Sequence, residues 1–157
     1  MTVSERPKIV PLDAAAFAAD AERVTNEVLL EEWLSLYHPE AVAEWMMDGA
    51  YERHEGLPAI RVAATGLARV WKEHNLQVKK TVECADDESI VLTWRGGFRG
   101  GSKQFGTEIW TLRDGLVVRH QMYGYFDVRS SDSWLARLRV FASDPRTTIA
   151  LVLNSRH

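Results

Sequence analysis

Apolar positions recur at helical spacing from Asp13 to Tyr37: Phe17, Ala21, Val24 and Val28, then Leu29, Leu30, Trp33, Leu34 and Tyr37. This predicts a helical segment with a break near Thr25-Asn26, after a loose arm, residues 1–12, that carries Pro7 and Pro11. His38-Pro39 ends the segment, because the residue before a proline avoids the helical region. Pro39 suits the first turn of a second helix, 39–47, with Val42, Trp45 and Met46 facing inward and Asp48-Gly49 as its stop. Residues 50–54 alternate as a short strand. The clearest amphipathic helix is 58–75, where Ile60, Ala64, Leu67, Trp71 and His74 share a stripe.

Beyond it the period changes to two, and strands are predicted near 76–84, 89–98, 103–112 and 116–127. Asp86-Asp87 marks the first turn between them. Gly96, Gly97, Gly100 and Gly101 mark a bend and a turn, and Arg113-Asp114-Gly115 closes the last hairpin. Trp134, Leu135, Leu138 and Phe141 return to helical spacing. Pro145 breaks that run before a short apolar piece at 147–153.

Composition narrows the functional classes. The 157 residues are 46% apolar and 26% charged, with net charge −3, which fits one globular domain, 1–157. Lys79-Lys80 is the only adjacent basic pair, so no nucleic-acid or anionic-membrane footprint is expected. No apolar run approaches the ~20 residues of a membrane span, and the N-terminus has no apolar core of a signal peptide. Cys84 is the single cysteine, so a reducing, cytoplasmic setting is expected. Six tryptophans imply an aromatic interior or pocket.

Three stretches carry a family resemblance. Ala41-Val42-Ala43-Glu44-Trp45-Met46 before Asp48-Gly49-Ala50-Tyr51 is similar to a second helix and first strand. Gly106 to Val118 is similar to a last hairpin, and Tyr123-Gly124-Tyr125-Phe126-Asp127 to the end of a last strand. Together they resemble the ketosteroid-isomerase-like, SnoaL-like branch of the nuclear transport factor two superfamily, over roughly residues 24–128. The resemblance implies an α+β cone-shaped barrel, a curved and mostly antiparallel sheet wrapped around three N-terminal helices. A C-terminal helical extension follows from about 129. It also implies a homodimer paired through the convex sheet face, where Ile109, Thr111, Tyr123 and Tyr125 would lie with Arg119 and Gln121.

A three-residue loop at Arg113-Asp114-Gly115 makes Leu112 face Leu116, Trp110 face Val118 and Glu108 face His120. Glu108, Trp110, Leu112, Val118, His120 and Met122 then share the concave face. Glu108 and His120 become hydrogen-bonded neighbours, and a carboxylate that fixes an imidazole suits general acid–base work. In ketosteroid isomerases the position matching Glu108 carries an oxyanion-hole acid kept neutral by an apolar site.

The resemblance turns Tyr51 and Arg53 inward. Arg53 then stands where those enzymes keep a catalytic aspartate, and a guanidinium cannot take a proton at neutral pH. Limonene epoxide hydrolases use an Asp-Arg-Asp set, of which only Arg95 remains here, with Gly97 and Gly124 in the aspartate places. The candidate catalytic residues are therefore His120, Glu108, Tyr51 and Arg53, with Trp110, Met122, Arg95 and Trp33 as substrate contacts. No cofactor is expected and no metal, since His120 and Glu108 supply only two ligands. Two functions follow. One is a cofactor-independent lyase, isomerase or cyclase acting on a small hydrophobic cyclic molecule. The other is a non-catalytic hydrophobic-ligand-binding or dimerisation module.

Overall fold

The Asp13 carboxylate accepts the Ala16 amide at 3.0 Å and so caps α1, Ala14–Asn26. A computed structural model describes residues 13–128, 134–146 and 149–150. The arm at 1–12 and most of the piece at 147–153 lie outside the described residues. After α1 the chain turns at Val28, which has φ 55°. A β-branched residue there is an outlier that only a tight chain reversal sustains. Helix α2, Leu30–Ser35, follows, so the predicted 13–37 segment is two helices broken just after Thr25-Asn26.

The expected second helix at 39–47 is a strand. β1 spans Tyr37–Met47 and buries Tyr37, Ala41, Ala43 and Trp45. Those positions are all odd, so the period is two, and the helix reading of Val42, Trp45 and Met46 fails. Alanines gave the segment helix propensity, but the sheet overrides a preference this weak. Pro39 cannot donate to a ladder, and it sits in the irregular stretch between the Tyr37–Val117 and Val42–Arg119 pairings.

β2, Ala50–Glu55, leads into α3, Leu57–Glu73, which buries Ile60, Ala64, Ala68 and Trp71. His74 caps its end. Four longer strands complete the sheet: β3 Leu76–Ala85, β4 Ser89–Phe98, β5 Gln104–Arg113 and β6 Leu116–Tyr125. The sheet order is β2-β1-β6-β5-β4-β3. Every pairing is antiparallel except β1 with β6. The sheet is curved and open, so the expected barrel does not close, and the helices pack on one face. Ile90, Leu92, Trp94, Trp110 and Trp45 anchor the core on that inner face.

Edge strand β3 is tied to α1 by side chains. The Asn26 amide donates to the Val78 carbonyl at 2.9 Å and accepts the Val78 N–H at 2.7 Å. The Glu22 carboxylate accepts the Lys80 N–H at 2.8 Å.

The last hairpin corrects the expected register. Its loop has two residues, Asp114 and Gly115, both with positive φ at 53° and 80°, as a type I′ turn requires. Arg113 pairs with Leu116 and Leu112 with Val117. A bulge then leaves Val118 unpaired, and beyond it Trp110 pairs with His120 and Glu108 with Met122. The shorter loop flips the phase of β6 and the bulge flips it back. Glu108 and His120 therefore both face inward as expected, but offset by two residues, and Val117 replaces Val118 on the inner face.

The chain divides into two units, through Phe126 and from Asp127 onward. The second contains α4, Trp134–Ser143, where the C-terminal helix was expected. Among the described residues no helix is long and apolar enough to cross a membrane.

Candidate active site

Alternation along β3, β5 and β6 brings four polar groups into the aromatic interior: Lys80, Glu108, His120 and, from β1, Tyr37. Lys80 follows Leu76 and Val78 on the inward phase of β3. Its ammonium bridges both Glu108 oxygens at 2.6 and 2.8 Å, with both side chains about 95% buried (exposures 4% and 5%). The Trp110 indole N–H donates to Glu108 Oε2 at 3.0 Å. Burial would raise the Glu108 carboxyl, but the Lys80 ammonium and these hydrogen bonds outweigh it and hold it below the ordinary carboxylate range.

His120 makes no hydrogen bond to Glu108, which corrects the expected pair. The two-residue offset places His120 against Trp110, rings stacked with centroids 3.6 Å apart and planes at 11°. The Tyr37 hydroxyl lies 2.6 Å from His120 Nδ1, and the Trp45 indole N–H points to the same nitrogen at 3.4 Å. An indole can only donate, so Nδ1 is an acceptor and the proton sits on Nε2. With Nδ1 accepting, the Tyr37 hydroxyl donates its proton to it. Burial pushes the Tyr37 phenol well above its ordinary value, so it stays a donor. Burial, reinforced by Lys80 and opposed by Glu108, pushes His120 down to about 3. The ring is neutral, and its buried Nε2–H has no hydrogen-bond partner among the described residues.

Lys80, Glu108 and His120 line a cavity with Trp33, Trp71, Trp110 and Met122. A second lobe shares Lys80, Glu108, Trp71 and Met122 and extends to Trp94 and Phe126. The space is tight, with room for about a water or two in the two lobes, so a ring compound enters only where the lining side chains move apart.

Trp110, Met122 and Trp33 thus line the cavity, as expected. Tyr51, Arg53 and Arg95 do not. Partners directly opposite in an antiparallel pair share a face. Trp45 opposes Glu52 and Ala43 opposes His54, so Tyr51 and Arg53 lie on the outer face. There they bind Glu44 at 3.0 and 2.9 Å, and Arg119 binds its other oxygen at 2.8 Å. Glu52 and His54 take the inner phase of β2, with the His54 ring 5.0 Å from the Trp45 ring. Arg95 follows inward Trp94 and therefore points out, over Phe105 at 6.0 Å.

Lys80 and Tyr37 were missed. The signal for Lys80 was its phase with Leu76, Val78 and Val82, which an adjacent Lys79 obscures. Tyr37 was hidden by its assignment to a helix end.

The SnoaL-like domain family matches residues 17–120. No curated protein gives a significant match. Among solved structures, a SnoaL-like protein of unknown function from Burkholderia thailandensis is 19% identical. That match covers 71% of this chain and 93% of that one at a TM-score of 0.56. A provisionally assigned polyketide cyclase from Sinorhizobium meliloti is 16% identical over 71% of this chain and 99% of that one, TM-score 0.53. A provisionally assigned isomerase from Bacillus subtilis is 23% identical over 72% and 89%, TM-score 0.51. Likenesses at this identity speak to the fold.

Proposed function

This chain belongs to the SnoaL-like domain family, and from its cavity we propose that it acts on a small, largely apolar cyclic carbonyl compound by cofactor-independent proton transfer. The observation that carries the reading is the neutral, fully buried His120, held through Nδ1 by Tyr37 and Trp45 with Nε2–H unpartnered among the described residues. Such a donor suits an oxygen on which negative charge develops.

The steps follow from the groups in the cavity. The ionised Glu108 takes a proton from the carbon beside the carbonyl, and the electron pair moves onto the carbonyl oxygen. His120 Nε2–H stabilises that oxyanion by hydrogen bonding, without giving up its proton. Return of the proton from Glu108 to a different carbon gives an isomerase; collapse of the enolate with loss of a hydroxyl or alkoxyl group from the next carbon, which leaves with the proton from Glu108, gives a lyase. Attack of the enolate carbon on a second carbonyl, whose oxygen then takes the proton from Glu108, gives a cyclase. Isomerase and cyclase assignments among the fold neighbours support this range at the level of fold analogy. Tyr51, Arg53 and Arg95 have no part in it.

A second reading, a ligand-binding protein without turnover, is favoured by one observation. Both Glu108 oxygens are engaged by Lys80 and Trp110, so substrate must displace a contact before the carboxylate can work. The test is a native mass-spectrometry screen of cyclic ketones, followed by proton NMR of each bound ketone in heavy water. Protein-dependent deuteration beside the carbonyl, lost ~10²-fold or more in His120→Ala and Glu108→Gln, supports the enzyme. Binding without exchange selects the second reading.

Two further parts of the proposal concern setting. A homodimer through the outer face is supported by Phe105 stacked on Tyr125 at 5.1 Å and by the partly exposed Met46, with Ile109 and Tyr123 on the same phase. A cytoplasmic location is supported by the lone exposed cysteine, Cys84.

A further inference from the structure

Trp33 is stacked on two other indoles. Its ring centroid lies 5.9 Å from that of Trp45 and 5.1 Å from that of Trp71, with planes at 24° in both contacts. Trp45 and Trp71 each turn a ring face to it, and Trp33 is 7% exposed. It lines the lobe that also holds Lys80, Glu108 and His120. The space that Trp33 fills is therefore continuous with the site. An indole is itself a planar bicyclic ring, so the space it occupies has the shape of one.

The other aromatic walls of that lobe are held more firmly. Trp110, on interior strand β5, is pinned by its N–H bond to Glu108 and by its stack with His120. Trp71 belongs to α3, 17 residues long. Trp33 stands on α2, 6 residues with no side-chain hydrogen bond at the N-cap, and so short a helix depends on its packing alone. The chain enters α2 through Val28, whose φ of 55° is strained for a β-branched residue. On its outer side α2 is held by two exposed ion pairs, Glu32 with Arg23 of α1 and Glu31 with Arg61 of α3. Exposed pairs contribute little. The far end is anchored: Leu34 is 2% exposed, and the Leu36 carbonyl accepts the Val117 N–H at 2.8 Å. The first turn can thus loosen while the helix stays docked.

We propose that Trp33 is a plug, an internal stand-in for the ligand ring, and that a planar bicyclic ketone binds by displacing it toward solvent and stacking on the faces it bares on Trp45 and Trp71. The inference rests on the proposed carbonyl chemistry and narrows its substrate class to ketones fused to a flat aromatic ring. It also supplies the movement that a ring compound needs to enter. The fraction of molecules with the plug withdrawn then sets the apparent affinity.

The test titrates two ketones into the wild-type protein and Trp33→Ala: α-tetralone, whose ring system is largely flat, and 1-decalone, the same skeleton saturated and puckered. α-Tetralone is expected to bind the wild type about tenfold more tightly than 1-decalone, as stacking on two indole faces allows. Trp33→Ala has no plug to displace and should bind α-tetralone about tenfold more tightly than the wild type does. In NMR of the wild type, the Trp33 indole N–H is assigned by its contacts to Trp45 and Trp71. It should be protected from a soluble paramagnetic agent before α-tetralone is added and broadened by that agent once the ketone is bound. This second measurement stands even if Trp33→Ala fails to fold. A folded Trp33→Ala of equal or weaker affinity, or a Trp33 signal that stays protected in the complex, overturns the plug. Equal affinities of the wild type for the two ketones overturn the flat-ring class. If the wild type still exchanges deuterium into α-tetralone while Trp33 stays protected, the carbonyl reading survives that failure. If neither ketone binds the wild type or the variant, both readings fall.

Discussion

His120 lies face to face with Trp110, 3.6 Å between ring centroids, and the same indole donates its N–H to Glu108 at 3.0 Å. Trp110 is therefore the physical link between carboxylate and imidazole. Trp110→Phe keeps a ring in the stack and drops the hydrogen bond to a charged group, an expected loss of about 1.5–3 kcal/mol. Trp110→Ala also opens a cavity and should cost about 3–5 kcal/mol. Urea unfolding of both variants measures the difference, and a Trp110→Phe variant as stable as the wild type would show that the hydrogen bond contributes nothing.

Acid should weaken the fold through His120. Its folded value is depressed to about 3 from an ordinary 6.5. Between those values the unfolded chain binds a proton there and the folded chain does not. Stability from this group is fully present above pH ~6.5 and falls as pH drops toward ~3. The loss by pH 5 is about 2 kcal/mol. A His120→Asn variant should show a flatter profile from pH 7 to 5 in denaturant titrations. The depressed Glu108 carboxyl adds a loss only at lower pH, below its ordinary carboxylate range.

The Lys80–Glu108 pair should be more costly to break than to replace. Lys80→Met alone strands a buried carboxylate, and breaking such a pair costs about 3–5 kcal/mol. Lys80→Met with Glu108→Leu replaces both charges by apolar groups and should recover most of that loss. A double variant no more stable than Lys80→Met would mean that the charges, and not their mutual compensation, hold the core.

The proposed homodimer predicts that sedimentation equilibrium gives twice the chain mass. Met46→Lys, on the outer face, should lower self-association without moving the Trp110–His120 site. A monomer at high concentration removes the dimer from the proposal.

Period-two alternation made β4, β5 and β6 readable, and the Ile60-to-Trp71 stripe made α3 readable. β1 was not, because Ala41 and Ala43 are good helix formers and their inward phase shows only once the sheet is assembled. That miss had a second effect. Without β1 as a partner, β2 had no phase of its own, so Tyr51 and Arg53 were turned inward by resemblance. Glu108 and His120 were placed on the inner face because two local irregularities, a shorter loop and a bulge at Val118, cancel in phase. Their separation does not cancel, and the contact between them was lost with it. Which nitrogen of His120 is free depends on Tyr37 and Trp45, both contributed by β1, so the protonation state of the site was out of reach of the sequence.

The amide of Asn26 gives Val78 both bonds that a neighbouring strand would give, with Glu22 doing the same for the Lys80 N–H. An open sheet presents a row of unmet backbone groups at its border, a template on which another chain can build. Here a helix side chain imitates the absent strand and blunts that template. Asn26→Ala would unmask it, so the first symptom of that substitution should be aggregation on storage, detected by light scattering, ahead of any large fall in melting temperature.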